Sequence, residues 1–145
     1  MTFSERLVPS PWIFAACVLL IPAVLAVFLP VSLGVAIVAA IVFFGGACAA
    51  LLVLSPVVEV RDGVLRAGRA RIPLALTGAA AAYRREEATA ERGVRLDARA
   101  YLCIRGWIDP VVRVELTDPD DPAPYWIVSS RRPDELVAAI EAGRR

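Results

Sequence analysis

The stretch PWIFAACVLLIPAVLAVFLPVSLGVAIVAAIVFFGGACAALLVL, residues 11–54, decides the architecture of this chain. It contains no charged residue, and the uncharged segment around it extends from Leu7 to Val58. A charged side chain at the centre of a bilayer costs about 2.5 to 3.5 kcal/mol on insertion scales, so a bilayer accounts for this exclusion of charge. The stretch therefore predicts an integral membrane protein.

Two parts of this stretch are each long enough to cross a hydrocarbon core, which takes about 20 apolar residues in a helix. The predicted helices are residues 12–29 and 32–54, and Pro30 marks the turn between them. Because the turn is short, the helices are predicted to be antiparallel neighbours, and Pro22 is predicted to kink the first. Small residues are candidates for the seam between the helices: Ala40, Ala47 and Ala50.

A cleaved signal peptide is the alternative for the first apolar segment. Val24-Leu25-Ala26 is a weak cleavage sequence, but the basic flank is only Arg6 beside Glu5, and a second apolar segment follows immediately. We therefore prefer a transmembrane hairpin over residues 12–54, preceded by an N-terminal segment, residues 1–11.

The distribution of arginine predicts the orientation of the hairpin. The turn between the helices has no basic residue, whereas Arg6 precedes the first helix and four arginines follow the second. By the positive-inside rule, both termini are predicted to be cytoplasmic, with the protein in the cell membrane. Candidate membrane-surface contacts are Trp12, Arg61, Arg66, Arg69 and Arg71. Glu59 and Asp62 dilute this basic charge, so ordinary solvated strand positions are the alternative.

The charge and cysteine counts exclude several classes of protein. The chain has 145 residues, 58% of them hydrophobic, and its net charge is only +1, so nucleic acid is not predicted as a partner. All sixteen basic residues are arginine, and there is no histidine. Cys17, Cys48 and Cys103 form no metal-binding or disulfide pattern and are interpreted as small buried hydrophobic residues. No cofactor and no metal site is predicted.

Residues 55–145 read as a small β-rich domain. Asp62-Gly63 predicts a type I′ turn between two short strands, and Pro73 places the next run at an edge or a bulge of the sheet. Strands are also predicted over 111–116 and 125–129.

The remaining segments of the domain are a final helix and two less certain runs. The helix is predicted over about 133–142, with Leu136, Val137 and Ile140 on its apolar face. Residues 76–90 fit either a helix or a weak strand, and the charged run 84–92 fits a solvated loop or a short helical turn. The fold class is thus α+β: a two-helix transmembrane hairpin, then a small antiparallel β domain closed by a C-terminal helix.

One cluster of side chains is a candidate for interaction with a partner, namely Asp97, Arg99, Tyr101, Arg105 and Trp107. Arginine and tryptophan are enriched at interaction hot spots. The structural alternative is that Asp97 pairs with an arginine, that Tyr101 packs in the sheet and that Trp107 caps the core. Trp126, Arg131 and Arg132 are further candidates. Tyr125 and Trp126 should lie on opposite faces of one strand, so only one of them points into the core, and an exposed ring beside the two arginines could form a cation–π patch or dock on the helices. Ordinary cross-strand packing is the preferred alternative.

Several motifs resemble known bacterial membrane families. Asp97-Ala98-Arg99-Ala100-Tyr101-Leu102, Arg105-Gly106-Trp107-Ile108, Asp121-Pro122-Ala123-Pro124-Tyr125-Trp126 and Ser129-Ser130-Arg131-Arg132-Pro133, with Glu5-Arg6-Leu7 and Trp12, are similar to the signature of an uncharacterised actinobacterial membrane family, the domain of unknown function 3093 family. The order of elements also resembles membrane-anchored pleckstrin-homology-like proteins. The first resemblance spans almost the whole chain but implies no activity or catalytic residue.

Three functions follow from these features. The first is a non-enzymatic, membrane-anchored module that binds another membrane or cytoplasmic protein, or serves as a subunit of a membrane complex. The second is a module that senses anionic lipid, and the third is an enzyme whose site is completed by a partner. No catalytic residues are predicted, because the chain has no histidine, phosphate-binding loop or nucleophile elbow.

Overall fold

The computed structural model describes residues 2–145, and the chain divides into two units. One unit is the helical segment Val8–Ser55; the other joins residues 2–7 to Pro56–Arg145 and contains all the strands. Residues 2–7 belong to the β unit, although the sequence analysis treated residues 1–11 as a separate segment. The reason is the strand β1 (Phe3–Arg6), which pairs with a strand more than 50 residues later in the chain.

The helical unit consists of α1 (Pro11–Cys17), α2 (Leu20–Phe28) and α3 (Leu33–Val53). The first predicted helix is interrupted at Val18 and Leu19, where the amides donate to carbonyls three residues earlier. The interruption lies one turn before Pro22, which has no N–H to donate to the carbonyl of Val18. Taken across this break, Pro11–Phe28 is long and apolar enough to cross a membrane, and so is Leu33–Val53.

The second predicted helix, residues 32–54, corresponds to α3, which begins and ends close to these bounds. Ser32 caps α3 by accepting a hydrogen bond from the amide of Val35 at 3.1 Å. Its buried residues are Ala36 and Ala40. Ala47 is half-buried and Ala50 is exposed, so the seam predicted from the alanines holds only in the first half of the helix. Cys17 and Cys48 are half-buried, whereas Cys103, in the β unit, is buried as predicted.

The first sheet of the β unit has four antiparallel strands in the order β1-β2-β3-β4. The strands after β1 are β2 (Val57–Arg61), β3 (Val64–Ala67) and β4 (Ala70–Pro73). The predicted turn joins β2 to β3, with positive φ at both Asp62 and Gly63, which is the type I′ conformation. β4 lies at the edge of the sheet, as the presence of Pro73 predicts.

The second sheet has the order β5-β7-β8-β6. Its strands are β5 (Thr77–Tyr83), β6 (Tyr101–Cys103), β7 (Val111–Leu116) and β8 (Tyr125–Ser129). β7 pairs with β5 and β8 in antiparallel fashion, but β6 pairs with β8 in parallel. This sheet is therefore mixed, whereas an antiparallel domain was predicted. The ambiguous segment 76–90 resolves into β5, followed by α4 (Arg85–Arg92), and the charged run is thus mainly helical.

Helices cover the second sheet. α5 (Pro133–Arg144) packs on strands of both sheets through Leu136, Ala139 and Ile140, and so closes the main core. A smaller core around Ala88 of α4 includes Tyr125 and Ile127.

Tyr125 and Trp126 are therefore both buried, at 4% and 3% exposure. The expectation that only one of them enters a core is wrong, because β8 has a core on each face. The predicted α+β class, with two apolar N-terminal helical stretches, sheets and a C-terminal helix, is confirmed.

Candidate interaction surfaces

The outer face of the first sheet brings together the arginines that the sequence analysis predicted as membrane-surface contacts. Alternation along the strands turns one set of side chains into the core and the other outward. Ser4 of β1, Glu59 of β2, Arg66 of β3 and Arg71 of β4 form one outward row across the sheet. We call this surface the arginine face, defined by Arg6, Arg61, Arg66, Arg69 and Arg71.

The register sets two like charges side by side on the arginine face. Arg66 and Arg71 are directly opposite on neighbouring strands, and Glu59 is opposite Arg66 on its other side. The Cβ atoms of such pairs lie about 4.5 to 5.5 Å apart, and like charges in this position are destabilising. The Nε of Arg66 donates to the carbonyl of Gly68 at 3.3 Å. A shallow depression of about 330 Å³ lies here, lined by Glu59, Arg61, Asp62, Val64, Arg66 and Arg71.

Arg6 and Arg69 lie at one end of the arginine face, and of these two only Arg69 was predicted as a membrane-surface contact. Arg6 is exposed on β1, and it was counted only for orientation because the strand was not predicted. Arg69 is exposed in the turn between β3 and β4. The amide of Leu7 donates to the carbonyl of Pro56 at 2.9 Å, and the amide of Gly68 donates to the carbonyl of Val57. Arg6 and Arg69 therefore lie at the end of the sheet where the chain leaves for, and returns from, the helical unit.

Ion pairing distinguishes the arginine face from the rest of the β unit. Six arginines outside this face pair with carboxylates: Arg84 with Asp134, Arg92 with Asp109, Arg95 with Glu87 and Glu91, Arg99 with Asp97, Arg113 with Glu91, and Arg132 with Glu135. On the arginine face, Arg61 pairs with its neighbour Asp62 at 3.3 Å. Within residues 2–145, no ion pair joins Arg66, Arg69 or Arg71 to a carboxylate.

The predicted cluster from Asp97 to Trp107 is largely engaged within the fold. Arg99 donates to both carboxylate oxygens of Asp97, at 3.1 and 2.9 Å, and these bonds lower the pKa of Asp97 to about 2. Arg105 is half-buried and donates to the carbonyl of Ile104, and Trp107 packs against the main core.

The aromatic residues of this region join the two sheets. The ring centroids of Tyr101 and Trp126 are 4.9 Å apart, and the Tyr101 hydroxyl donates to the carbonyl of Ala67 at 2.8 Å. Burial raises the pKa values of Tyr101 and of the neighbouring Cys103. The hydroxyl and thiol also pack near Gly68, whose φ of +63° is a conformation that L side chains rarely adopt. Tyr101 and Trp126 thus hold the fold together and present little free surface.

The two other predicted arginines hold the N-terminal strand. Glu5 is buried, and its carboxylate accepts hydrogen bonds from the Ser130 hydroxyl at 2.6 Å and the Arg131 amide at 2.9 Å. Arg132 donates to the carbonyl of Ser4 at 2.8 Å and lies 4.9 Å from the Phe3 ring centroid. These contacts join the chain's first strand to the segment before α5, and we call them the Glu5 clasp.

A second polar network was not predicted. Glu91 of α4 is 2% exposed, and its carboxylate accepts from Arg95 at 3.3 Å and from Arg113 at 3.2 Å. The Arg113 guanidinium also lies 4.0 Å from the Tyr125 ring centroid. Each partner lies on a different element, so sequence spacing alone gives no signal for this network beyond the Glu91–Arg95 pair.

An open groove runs along the edge strand β5 beside α5. It is lined by Ala80, Ala81, Ala82, Arg84, Asp134, Val137, Ala138 and Glu141 and measures about 460 Å³. Arg84 and Asp134 form an ion pair at one end, and Arg144 donates to the carbonyl of Gly78 near the other. Edge strands with free backbone groups are natural sites for pairing with an extended segment.

The helical unit presents a different kind of surface. Trp12, the predicted interfacial anchor, is 66% exposed at the start of α1, and further large apolar side chains are exposed on α2 and along α3. Over the described part of the chain, no group of three or more His, Cys, Asp or Glu side chains is placed to hold a metal ion.

Fold and surfaces together define an α+β protein in which an apolar helical unit interrupts a β unit between its first two strands. The model of a family of proteins of unknown function, DUF3093, matches residues 2–140. The chain belongs to this family, which confirms the predicted resemblance to the domain of unknown function 3093 family. No curated protein and no solved structure matches the chain.

Proposed function

We propose that this chain is a non-enzymatic membrane-anchored module, whose helical unit crosses the bilayer as a hairpin and whose β unit binds a protein partner at the membrane. The observation that carries the proposal is the exposed apolar surface of the helical unit. None of Pro11–Phe28 is buried, and only 11% of the most apolar part of Leu33–Val53 is. A core helix of a water-soluble protein would be mostly buried, whereas lipid accommodates this surface without cost.

The pairing of β1 with β2 supports the hairpin topology. β1 precedes the helical unit and β2 follows it, so these strands can pair only when both are in one compartment. Two crossings satisfy this condition and one crossing does not. Cleavage after Val24-Leu25-Ala26 would also remove β1 and Glu5 from the β unit, which argues against a signal peptide.

The side of the membrane follows from the arginines that flank the helices. Arg6 lies before α1, the arginines of β2 to β4 follow α3, and Leu29–Ser32 contains no basic residue. The positive-inside rule therefore favours a cytoplasmic β unit in the cell membrane.

A protein partner is proposed because β5 is an edge strand of its sheet and a groove runs beside it. The groove between β5 and α5 offers backbone groups and small alanine side chains to an extended segment. The order of elements, an apolar helical pair followed by strands and a terminal helix, resembles membrane-anchored pleckstrin-homology-like proteins, whose domains bind lipids, peptides or other proteins. Fold likeness alone does not choose among these.

The anchoring is tested with the tagged full-length chain in bacterial membranes. We expect the protein to stay in the pellet after alkaline carbonate extraction. Val31→Cys, between the helices, should react with an impermeant maleimide on intact cells, whereas Arg145→Cys should react only after permeabilisation. The wild type gives the background from its three cysteines. Release by carbonate, or labelling of both positions from outside, would contradict the proposal.

The partner is tested by cross-linking in native membranes, followed by purification in mild detergent. We expect a second protein to co-purify with the wild type and to be lost from Ala81→Asp, which adds a charge to the groove. The control is Ala98→Asp, at an exposed position away from it. A chain that is always alone and monodisperse would count against a protein-binding module.

A further inference from the structure

We propose that the arginine face binds the anionic phospholipid head groups of the membrane in which the helices are anchored. This inference rests on the proposed membrane anchoring and assigns the β unit a second ligand besides a protein partner.

Charge is distributed unevenly over the β unit. The arginine face holds five of the chain's sixteen arginines, while two of its fifteen acidic residues, Glu59 and Asp62, lie beside them. The other arginines are outnumbered by the other acidic residues, although the whole chain has a net charge of +1. A nearly neutral protein thus presents one positive surface, which attracts an anionic one.

Two like charges repel each other within the first sheet. Arg66 and Arg71 are cross-strand neighbours, and neither forms an ion pair with a carboxylate among residues 2–145, whereas six arginines outside the face do. An arrangement that disfavours folding is expected where a ligand relieves it. Phosphate groups suit this role, because a guanidinium donates two parallel hydrogen bonds to phosphate oxygens.

The arginine face begins only a few residues after α3 along the chain. Three residues separate the end of α3 from the start of β2, so Val57 lies at most about 14 Å from Val53. Arg6 and Arg69 lie at this end of the sheet. In the proposed topology they lie close to the head groups, where the anionic surface potential falls off over about one Debye length, roughly 8 Å at physiological salt.

The shape of the arginine face favours lipid over an acidic protein as its ligand. The face is a broad and shallow surface with its charges spread along three outward rows, and its open depression is bordered by Glu59. Such a surface suits several head groups at once.

The test uses the full-length chain purified in a neutral detergent. Short-chain phosphatidylglycerol is titrated against short-chain phosphatidylcholine, and the dissociation constant of each is measured. We expect the wild type to prefer phosphatidylglycerol, and 0.5 M salt to remove the preference. The double variant Arg66→Gln with Arg71→Gln should weaken phosphatidylglycerol binding about tenfold. The matched control, Arg85→Gln with Arg145→Gln, removes two exposed arginines outside the face and should change binding less than twofold.

A third variant has the opposite sign. Glu59→Gln keeps the size of the side chain and removes the acidic charge from the row, so it should tighten phosphatidylglycerol binding about threefold. Thermal unfolding checks the double variant, which should melt at or above the wild-type temperature because the like-charge pair is gone. If the double variant melts at a lower temperature than the wild type, the Glu59→Gln variant decides the question. An affinity of Glu59→Gln for phosphatidylglycerol equal to that of the wild type then overturns the proposal.

Other outcomes would also overturn it. These are equal weakening by both double variants, competition by soluble glycerol 1-phosphate at the concentration of the lipid, and tighter binding of deca-aspartate than of phosphatidylglycerol. If only the lipid-binding proposal is wrong, the wild type still stays in the membrane pellet after carbonate extraction. If the proposed membrane anchoring is wrong, carbonate releases the wild type from the pellet.

Discussion

The helix Leu33–Val53 and the strand Tyr125–Ser129 are both rich in apolar residues, but they meet different surroundings. All five residues of β8 are buried, whereas α3 buries only Ala36 and Ala40. β8 lies between two cores of the β unit, and the outward side chains of α3 are exposed. The comparison shows that apolar composition alone does not say what a segment packs against. The β unit makes its own interior, whereas the helical unit leaves most of its large apolar side chains exposed, and lipid covers them in the proposed function.

The largest expected effect comes from making one substitution in both regions. Ile127→Ala removes a fully buried side chain of β8 and should lower the stability of the β unit by about 2 to 5 kcal/mol. Ile41→Ala removes a side chain of α3 that is 67% exposed and should leave that stability unchanged. Denaturant titration of both variants in detergent micelles, followed by tryptophan fluorescence, measures the difference. Equal losses would mean that Ile41 belongs to a protein core.

The Glu5 clasp is the next feature to break. Glu5→Ala leaves the Ser130 hydroxyl and the Arg131 amide without their carboxylate partner, which should cost about 1 to 3 kcal/mol. The rate of amide hydrogen exchange should rise more in β1 than in β7. Ser4→Ala, on the outer face of the same strand, is the control and should change stability by less than about 0.5 kcal/mol. Unchanged exchange in β1 after Glu5→Ala would show that other contacts hold the strand.

The turn between β2 and β3 gives a smaller effect. Gly63 has a φ of +74°, so Gly63→Ala should destabilise the β unit by about 1 kcal/mol through backbone strain alone. Gly106→Ala is the control, because an added Cβ there meets no atom within 4 Å and the backbone is not left-handed. Thermal unfolding of both variants is the measurement. A harmless Gly63→Ala would contradict the type I′ turn.

The smallest expected effect is the pH dependence from Asp97. Hydrogen bonds from Arg99 lower the pKa of this exposed carboxyl from 3.8 to about 2, so its stabilisation is present above pH 3.8 and is lost as the pH falls toward 2. The melting temperature of the wild type should exceed that of Asp97→Asn above pH 4, and the two should converge near pH 2. A difference that persists at pH 2 would assign the effect to packing instead of charge.

Local signals made much of this fold predictable. The uncharged stretch gives the two helical segments, Asp62-Gly63 gives the hairpin turn, and Pro133 followed by acidic residues gives the last helix. Pairing over long distances was not predictable. β1 is four residues long and pairs with β2 across the whole helical unit, and the parallel pairing of β6 with β8 leaves no mark in either strand.

The candidate surfaces divide in the same way. The arginine face follows from alternation along a recognisable hairpin, so four of its five arginines were identified from the sequence. The roles of Tyr101, Trp126 and Arg132 depend on which elements pack together. Their composition suggested a binding site, but each of them makes contacts within the fold.

The pairing of β1 with β2 across the two proposed membrane crossings is the central claim, and a cross-link tests it most directly. Ser4 and Glu59 are partners in the register and both side chains face outward. In carbonate-washed membranes, the double variant Ser4→Cys with Glu59→Cys should be joined by a short bismaleimide and migrate as a closed loop, which neither single variant does. Absence of this cross-link, with the two single cysteines labelled from opposite sides of the membrane, would contradict the account.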